Sequence, residues 1–237
     1  MSARFEELAW QPTPLGDISL RRRHDPALGV EVYEVKLGDE FLMSSLFVVA
    51  EIALADLGLA QVVGDQLDVV VGGLGLGCTA RAALADQRVR SLTVVEALDE
   101  VVGWHRRRLL PYSDELTADA RCQLVTGDFF ALAAAGTGFG PDVPDRLDAV
   151  LLDIDHSPSH VLHPSHAGFY TSGGLHRLAD RLRPGGVFAL WSDDPPDEAF
   201  LALLGDVFAT AIATVVPFAN PVTGGESANT VYVATRG

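Results

Sequence analysis

The pattern of apolar and polar residues divides the chain into two parts, with a change of character near residue 65. Before that point, residues 16–23 and 30–37 alternate apolar and polar positions, as half-buried strands do. A longer apolar run over 44–59 has the length of a helix. The pattern therefore predicts a small N-terminal β-hairpin unit with a linking helix over residues 1–62.

After residue 65, apolar strand-like runs alternate with helical stretches, which predicts a second domain over residues 63–237. The predicted strands are 67–72, 91–96, 122–127, 147–153 and 186–192, and the main predicted helices are 77–87, 97–109 and 168–182. A surface loop is expected over 135–146, and two last strands, 211–218 and 228–235, have no helix between them. The predicted fold class is α/β: a Rossmann-like, seven-stranded, mostly parallel sheet with an antiparallel C-terminal hairpin, preceded by the N-terminal β-hairpin unit.

Charge and composition narrow the classes of partner. The 17 Lys and Arg residues are outnumbered by 32 Asp and Glu residues, so the formal net charge is −15. A nucleic-acid partner is not expected, because phosphate backbones are bound by clustered basic residues. The most apolar window, 41–60, contains two acids, and no basic, apolar leader begins the chain, so neither a membrane span nor secretion is expected. The two cysteines form no CxxC motif, and a cytoplasmic location is the expectation.

A glycine-rich turn follows the first predicted strand of the second domain. The sequence VVVGGLGLGCTA contains Gly72, Gly73, Gly75 and Gly77, and bare backbone at such a turn lets a ligand approach closely. The spacing GxGxG differs from the dinucleotide pattern GxGxxG. It favours a single nucleoside of the S-adenosylmethionine kind over NAD or FAD.

Acidic residues stand at the ends of the next two predicted strands. Glu96 can accept hydrogen bonds from both ribose hydroxyls, and Asp128, in VTGDFF, can accept one from an adenine amino group. Either acid alone is compatible with a solvated strand end, and the glycine turn alone with a structural turn. Together, at successive strand ends, they predict a nucleoside site.

The segment LLDIDHSPSHVLHPSH, residues 151–166, combines two carboxylates with four histidines after the fourth predicted strand. Its histidines are spaced as on one face of a helix, but two prolines interrupt that helix and a second ligand cluster is not evident, so no metal is expected. The histidines are expected to form hydrogen bonds within a lid or to face solvent, with substrate contact as an alternative. Asp153 is placed at the switch point of the sheet, beside the glycine turn, where it can orient an attacking amine and accept its proton.

The motifs VGGLGLG, VVE, GDFF, LDAVLLDIDHSP and HAGFYTSGGLHRLADRLRPGGVFAL resemble the spermidine synthase, or polyamine aminopropyltransferase, family within the class I S-adenosylmethionine-dependent methyltransferase fold. The family's glycine loop reads GGGDGG and its catalytic loop reads DSSDP. The resemblance implies that Glu96 contacts ribose, Asp128 contacts adenine and Asp153 is the catalytic aspartate. It implies that Tyr170 is the tyrosine after the catalytic loop, and that the protein is a homodimer, as family members commonly are.

The sequence departs from the family at the donor and acceptor ends of the site. Gly75 replaces the Asp of GGGDGG, which favours intact S-adenosylmethionine, and Asp155, His156 and a serine stand where the second Asp of DSSDP is expected. Glu51, the acid of the linking helix, is interpreted either as a rim residue or as an amine contact, and Asp193 either as a helix cap or as a contact. Expected substrate-binding residues are Glu51, Asp155, His156, Tyr170 and Asp193.

Three functions remain open on the sequence. The first is transfer of an aminopropyl group from decarboxylated S-adenosylmethionine to a small-molecule amine acceptor. The second is transfer of a methyl group from S-adenosylmethionine, and the third is nucleoside binding without turnover.

Overall fold

The computed structural model describes residues 5–13, 16–136, 138–140 and 142–237. It begins with a four-stranded antiparallel sheet in the order β1-β2-β3-β4. These strands are β1 (Phe5–Thr13), β2 (Gly16–Asp25), β3 (Val30–Leu37) and β4 (Glu40–Ser44). The predicted hairpin is the central pair, β2 and β3. The two outer strands were not predicted, because they lie at the sheet edges and are too exposed to show a regular apolar alternation.

The second sheet has seven strands in the order β10-β11-β9-β8-β5-β6-β7. Its strands are β5 (Leu67–Gly72), β6 (Val89–Glu96), β7 (Cys122–Thr126), β8 (Leu147–Leu152), β9 (Leu182–Ser192), β10 (Thr210–Asn220) and β11 (Gly225–Thr235). The pairings among β5 to β9 are parallel, and β11 is antiparallel to both β9 and β10. The predicted fold class, including the antiparallel C-terminal hairpin, is confirmed.

Helices cover both faces of the seven-stranded sheet. They are α1 (Val49–Ala60), α2 (Cys78–Ala85), α3 (Asp99–Arg106), α4 (Ser113–Ala118), α5 (Phe129–Ala135), α6 (Ser172–Ala179) and α7 (Glu198–Val207), with a short 3-10 helix at Pro164–Gly168. The helix predicted over 168–182 begins later, because the Thr171 side chain caps it by accepting from the Gly174 N–H. It also ends earlier, because Leu182 already pairs with β8.

Two apolar cores form, one on each face of the sheet. On the first face, α1 packs closely over β8 and β9: a Cβ placed on Gly58 would lie 2.9 Å from Leu151 Cδ2 and 3.1 Å from Ala189 Cβ. The second face is rich in aromatic side chains, contributed by Phe129, Phe169 and Phe188 among others. This packing holds the last turn of α1 against β8 and β9.

The predicted surface loop over 135–146 contains one buried aromatic residue. Phe139 is 2% exposed and stacks on Phe129, with 5.1 Å between ring centroids. Thr137 and Pro141, which belong to the same predicted loop, lie outside the described residues. The domain boundary predicted at residues 62–63 falls between α1 and β5 and stays a prediction. Within the described part of the chain, no helix is long and apolar enough to cross a membrane.

Candidate functional site

The strand order places the predicted site residues along one edge of the sheet. Strands β8, β5, β6 and β7 are neighbours and run parallel, so their carboxyl ends lie side by side. Asp153 follows β8, the glycine loop (residues 72–77) follows β5, Glu96 ends β6, and Asp128 comes shortly after β7. The chain therefore presents these groups in a row at the point where open α/β sheets bind ligands.

The glycine loop touches the backbone of Asp153. The Asp153 N–H donates to the Gly72 carbonyl oxygen at 2.8 Å. Gly73 has φ +93°, and a Cβ placed there would lie 2.0 Å from the Asp153 carbonyl oxygen. Only glycine fits this left-handed position against bare backbone, so the close approach of the two segments requires Gly73.

Gly75 is held from both sides. It has φ +46°, and a Cβ at this position would lie 2.7 Å from Met43 Sδ of β4. Its carbonyl oxygen accepts from Nε2 of the buried His105 at 2.9 Å. Burial lowers the pKa of His105, so the imidazole is neutral and serves as a donor to this carbonyl. A thioether therefore occupies the space next to Gly75 where an aspartate side chain would begin.

The two acids of the predicted nucleoside site both contact backbone N–H groups. Glu96 accepts from the Leu74 N–H at 3.0 Å and from the Leu98 N–H at 2.9 Å. Burial raises the pKa of Glu96, and these backbone donors partly offset the shift. The Gly75 and Ala97 N–H groups also act on this carboxylate, so backbone donors from both sides hold it in place, and a contact with ribose hydroxyls stays a prediction.

Asp128 caps helix α5. Its Oδ1 accepts from the N–H groups of Phe130 at 2.9 Å and Ala131 at 3.1 Å. Within the described residues its Oδ2 has no hydrogen-bond partner, and the residue is exposed. The cap thus uses one oxygen, and an adenine contact through the other stays a prediction.

Two carboxyl groups meet at the carboxyl end of β8. Asp153 comes from the strand end, and Glu51 comes from the first turn of α1. Burial raises the pKa of both groups, and the nearby charge of Asp153 raises the pKa of Glu51 further. Glu51 thus lies near Asp153, and a contact between Glu51 and an amine stays a prediction.

Two residues of helix α2, Cys78 and Thr79, lie next to these carboxyl groups. The Thr79 hydroxyl donates to Asp153 Oδ2 at 2.7 Å. Burial, together with the charges of Glu51 and Asp153, raises the pKa of the neighbouring Cys78 thiol to about 12. Cys78 is therefore a neutral thiol in the native protein, and it is not available as a nucleophile.

Asp155 stabilises the histidine loop, which we define as residues 153–168. Its Oδ1 accepts from the Leu162 N–H at 2.7 Å and from His166 Nδ1 at 2.8 Å, and its Oδ2 accepts from the Tyr170 hydroxyl at 2.8 Å. The side chain of Asp155 is 0% exposed, and burial keeps the pKa of Tyr170 high. Both residues have their polar groups engaged within the protein, and a substrate contact by either stays a prediction.

The other three histidines of this loop also have side-chain partners. Those of His156 and His160 lie outside the loop, and that of His163 lies within it. His156 Nε2 lies 2.8 Å from Glu40 Oε1 of β4, and His160 Nδ1 lies 2.7 Å from Asp194 Oδ2. His163 bonds Ser165 locally. All four histidines therefore have hydrogen-bond partners, two of them outside the loop, and a role of the loop as a lid stays a prediction. Among the residues that the structure describes, no group of three or more His, Cys, Asp or Glu side chains could hold a metal ion.

Asp193 lies after β9 and also has a protein partner. Its Oδ1 accepts from Asn229 Nδ2 at 2.8 Å, and its N–H donates to the His156 carbonyl oxygen at 2.7 Å. These bonds connect the end of β9 to the histidine loop. A substrate contact by Asp193 or by His156 stays a prediction.

Sequence reasoning did not select Thr79 or Met43 as site residues. Trp191 of β9 follows Leu190, whose partner on β8 is Leu152, so Trp191 lies beside the place where Asp153 leaves β8. The indole Nε1 of Trp191 is buried and has no hydrogen-bond partner among the described residues. No motif marks Thr79 or Met43. The available signal for Thr79 was a hydroxyl two residues beyond the last glycine of the glycine loop.

The chain was compared with proteins of known sequence and structure. No family model matches it. Polyamine aminopropyltransferase 2 of Pseudomonas aeruginosa is 31% identical over 155 residues, which are 61% of this chain and 40% of that protein. The chain therefore matches less than half of the length of this curated relative.

Three solved structures share the fold over nearly the whole chain. A spermidine synthase in complex with the transition-state analogue AdoDATO superposes with a TM-score of 0.74 at 16% identity, covering 98% of this chain and 74% of that one. Spermidine synthase from Thermotoga maritima gives 0.72 at 18% identity, with coverages of 98% and 73%. A probable spermidine synthase from Corynebacterium glutamicum gives 0.63 at 17%, with coverages of 99% and 80%. The chain has the spermidine synthase fold, as the sequence resemblance implies.

Proposed function

We propose that this protein transfers an alkyl group, an aminopropyl group in the first instance, from an S-adenosyl sulfonium donor to a small amine. The observation that carries the proposal is the pair of acids Glu51 and Asp153, which the Thr79 hydroxyl connects beside the glycine loop. The sequence similarity to a polyamine aminopropyltransferase and the spermidine synthase fold support it.

The donor end of the site fits an S-adenosyl nucleoside. The glycine loop offers bare backbone, Glu96 presents a carboxylate fixed by backbone N–H groups to the ribose hydroxyls, and Asp128 keeps one oxygen for the adenine amino group. Each of these groups accepts hydrogen bonds, which matches the donors on a ribose and an adenine. When bound, the sulfonium supplies an electrophilic carbon and a good leaving group.

The acceptor end of the site suits a cation. An amine arrives protonated at neutral pH. The Asp153 carboxylate holds it by charge, and the neighbouring Glu51, whose pKa is raised to about 8, adds a hydrogen-bond acceptor. Asp153 accepts the proton that the nitrogen loses, and the free lone pair then attacks the carbon on sulfur as the carbon–sulfur bond breaks. Because burial raises the pKa of Asp153, its carboxylate is a stronger base than an exposed aspartate.

A second candidate function is methyl transfer from intact S-adenosylmethionine. It is favoured by one observation, the contact between Gly75 and Met43, which puts a thioether where an acid could have held the ammonium of an aminopropyl donor. In this case Asp153 and Glu51 keep their roles toward the amine, and only the donor changes.

The test is a mass-spectrometric assay with each donor against a panel of mono-, di- and triamines. Aminopropyl transfer produces methylthioadenosine and an extended amine, whereas methyl transfer produces S-adenosylhomocysteine. Asp153→Asn should lower kcat by about 100-fold or more, because it removes the base, while calorimetry shows retained donor binding. Asp65→Asn, at an exposed loop position, is the matched control and should leave kcat unchanged.

Two outcomes of that assay would contradict the proposal. Donor binding with neither product across the whole panel would indicate a nucleoside-binding protein without turnover. Full activity of Asp153→Asn would remove the role given to this carboxylate. A homodimer in the cytoplasm also stays a prediction, and light scattering coupled to gel filtration tests its oligomeric part.

A further inference from the structure

Thr79 lies at the place where α1, α2 and the end of β8 meet. It is the second residue of α2, and it is 3% exposed. Its Oγ1 lies 2.7 Å from Asp153 Oδ2 and 3.3 Å from the backbone carbonyl oxygen of Glu51. A single hydroxyl therefore connects the two residues that carry the carboxyl groups.

The shorter of these two contacts fixes the Asp153 side chain. A hydroxyl has one proton, and the 2.7 Å distance to Oδ2 is typical of an O–H group donating to a charged carboxylate. Within the described residues, Oδ1 of Asp153 has no partner, so the bond to Thr79 uses one oxygen and leaves the other for a ligand. The carboxylate is thereby restrained before an amine arrives.

We propose that Thr79 is a positioning residue, which holds the Asp153 carboxylate through Oδ2 so that Oδ1 accepts the proton of the attacking amine. This inference rests on the proposed function, because it takes Asp153 to be the group that receives that proton. Thr79 itself does not touch the substrate in this scheme and acts through Asp153.

The Thr79 hydroxyl has two acceptors within reach, Asp153 Oδ2 and the Glu51 carbonyl oxygen. It can therefore keep a hydrogen bond when Asp153 takes up a proton and loses its charge. While Asp153 is charged, the hydroxyl donates to Oδ2. After Oδ1 has taken the proton from the amine, Asp153 is neutral, and the same hydroxyl can turn its hydrogen toward the Glu51 carbonyl oxygen at 3.3 Å. The turn moves no proton between residues, so the Thr79 hydroxyl keeps its own hydrogen throughout.

Among the described residues around Asp153, Thr79 is the side chain that donates a hydrogen bond to its carboxylate. Glu51 faces Asp153 from α1 and Cys78 from α2, and neither is a cation. At the end of β9, Asp193 pairs with Asn229 and Asp194 pairs with His160. Burial raises the pKa of Asp153, and the hydrogen bond from Thr79 lowers it.

The kinetic test compares Thr79→Val, which removes the hydroxyl at nearly constant volume, with Thr79→Ser, which restores it. Thr79→Val should lower kcat by about 10- to 100-fold, as other losses of an orienting partner do, and should leave the KM for the donor within about twofold. The acid limb of its pH profile should move to higher pH, and Thr79→Ser should return both readouts toward wild type. Thr93→Val, a buried threonine on β6, is the matched control and should change neither.

A second measurement does not depend on turnover. Carbon-13 NMR titration of the side-chain carboxyl groups, assigned with Asp153→Asn, should show a higher pKa for Asp153 in Thr79→Val than in wild type. An unchanged pKa, or an unchanged acid limb in an active enzyme, would overturn the inference. If wild-type protein makes no product with any amine, the proposed function fails and the titration alone decides whether Thr79 controls Asp153. Should Thr79→Val fail to fold, Thr79→Ala is titrated instead under the same criterion.

Discussion

Cys78 lies next to the reactive groups without being one of them. Its thiol has a pKa of about 12, because it is buried and faces the carboxyl groups of Glu51 and Asp153. Only a thiolate reacts rapidly with alkylating or disulfide reagents, and at pH 8 the native thiol is almost entirely protonated. The same acidic surroundings that suit a cationic amine therefore protect this sulfur.

Cys78 should react with a maleimide or an aromatic disulfide at least about 100-fold more slowly in the native protein than after unfolding in guanidinium. The measurement uses a Cys122→Ser background, so that Cys78 is the cysteine that reacts. Without this substitution the two thiols would be hard to distinguish, because burial raises the pKa of Cys122 to about 12 as well. Rapid labelling of native protein in that background would show that the thiol is accessible and ionised. In that case the carboxylate pair would not be placed beside Cys78 as the structure has it.

At the residue scale, the sequence predicted where the acids lie but not which partners they have. Glu96, Asp128 and Asp153 could be placed because a strand end in a parallel sheet has a known position relative to the switch point. Thr79 could not, since its partner Asp153 lies 74 residues further along the chain. Such a long-range hydrogen bond leaves no periodic pattern in the sequence.

At the scale of elements, the histidine loop depends on one buried carboxylate. Asp155 accepts from the backbone of Leu162 and from the side chains of His166 and Tyr170, so three points between residues 162 and 170 converge on one group. His166 also stacks on Phe130 of α5, with 3.9 Å between ring centroids. These contacts connect the loop that carries Asp153 to the aromatic core.

Asp155→Asn should loosen this loop without unfolding the sheet. The substitution removes the charge from three hydrogen bonds and turns an N–H toward the Tyr170 hydroxyl, which costs about 2 kcal/mol locally. Amide hydrogen exchange over residues 156–168 should then be roughly 30-fold faster, with little change in β5 or β8. Tyr170→Phe, which removes a single donor, should give a smaller increase.

The control for this exchange experiment is Asp145→Asn, whose side chain is 96% exposed. It should leave the exchange pattern of the loop unchanged. Equal protection of the loop in Asp155→Asn and wild type would contradict the role given to Asp155. It would also return Asp155 to the group of candidate substrate contacts.

The strands of the parallel sheet were predictable because each is an apolar run between turn signals, whereas the loops between them were not. Asp155 was expected to line the acceptor pocket because it stands near the family's catalytic loop. Its contacts come from residues 162, 166 and 170, and they depend on how the loop folds back on itself. The first and fourth strands were missed for a similar reason, since edge strands bury too little to show a pattern.

At the scale of the whole molecule, acids at the two ends of the parallel strands have pKa values shifted in opposite directions. At the amino ends, Asp68 of β5 is paired with Arg90 and Arg183, and its pKa is lowered to about 2 although burial alone would raise it. At the carboxyl ends, the half-buried Glu51 and Asp153 lie near each other, and their pKa values are raised. The first arrangement stabilises the folded chain, and the second destabilises it wherever both acids are charged.

The sign of the resulting pH dependence can be worked out for each end. Asp68 binds its proton less tightly in the folded state, so its contribution is present above its unfolded pKa and is lost as pH falls toward about 2. Glu51 binds its proton more tightly in the folded state. Its contribution is therefore present below its unfolded pKa and is lost as pH rises through its raised folded value. Between weakly acidic and alkaline pH, Glu51 should thus make the protein progressively less stable.

Glu51→Gln tests this directly, because glutamine has nearly the same shape and cannot ionise. The free energy of unfolding, measured with urea, should rise by about 1–2 kcal/mol at pH 8 and by almost nothing at pH 4.5, where wild-type Glu51 is already protonated in the folded state. Glu226→Gln, at an exposed position of β11, should change stability at neither pH. Destabilisation by Glu51→Gln that grows with pH would mean that Glu51 has a stabilising cationic partner. The site would then hold its own counter-ion, and a cationic acceptor would no longer be required to balance the carboxylate pair.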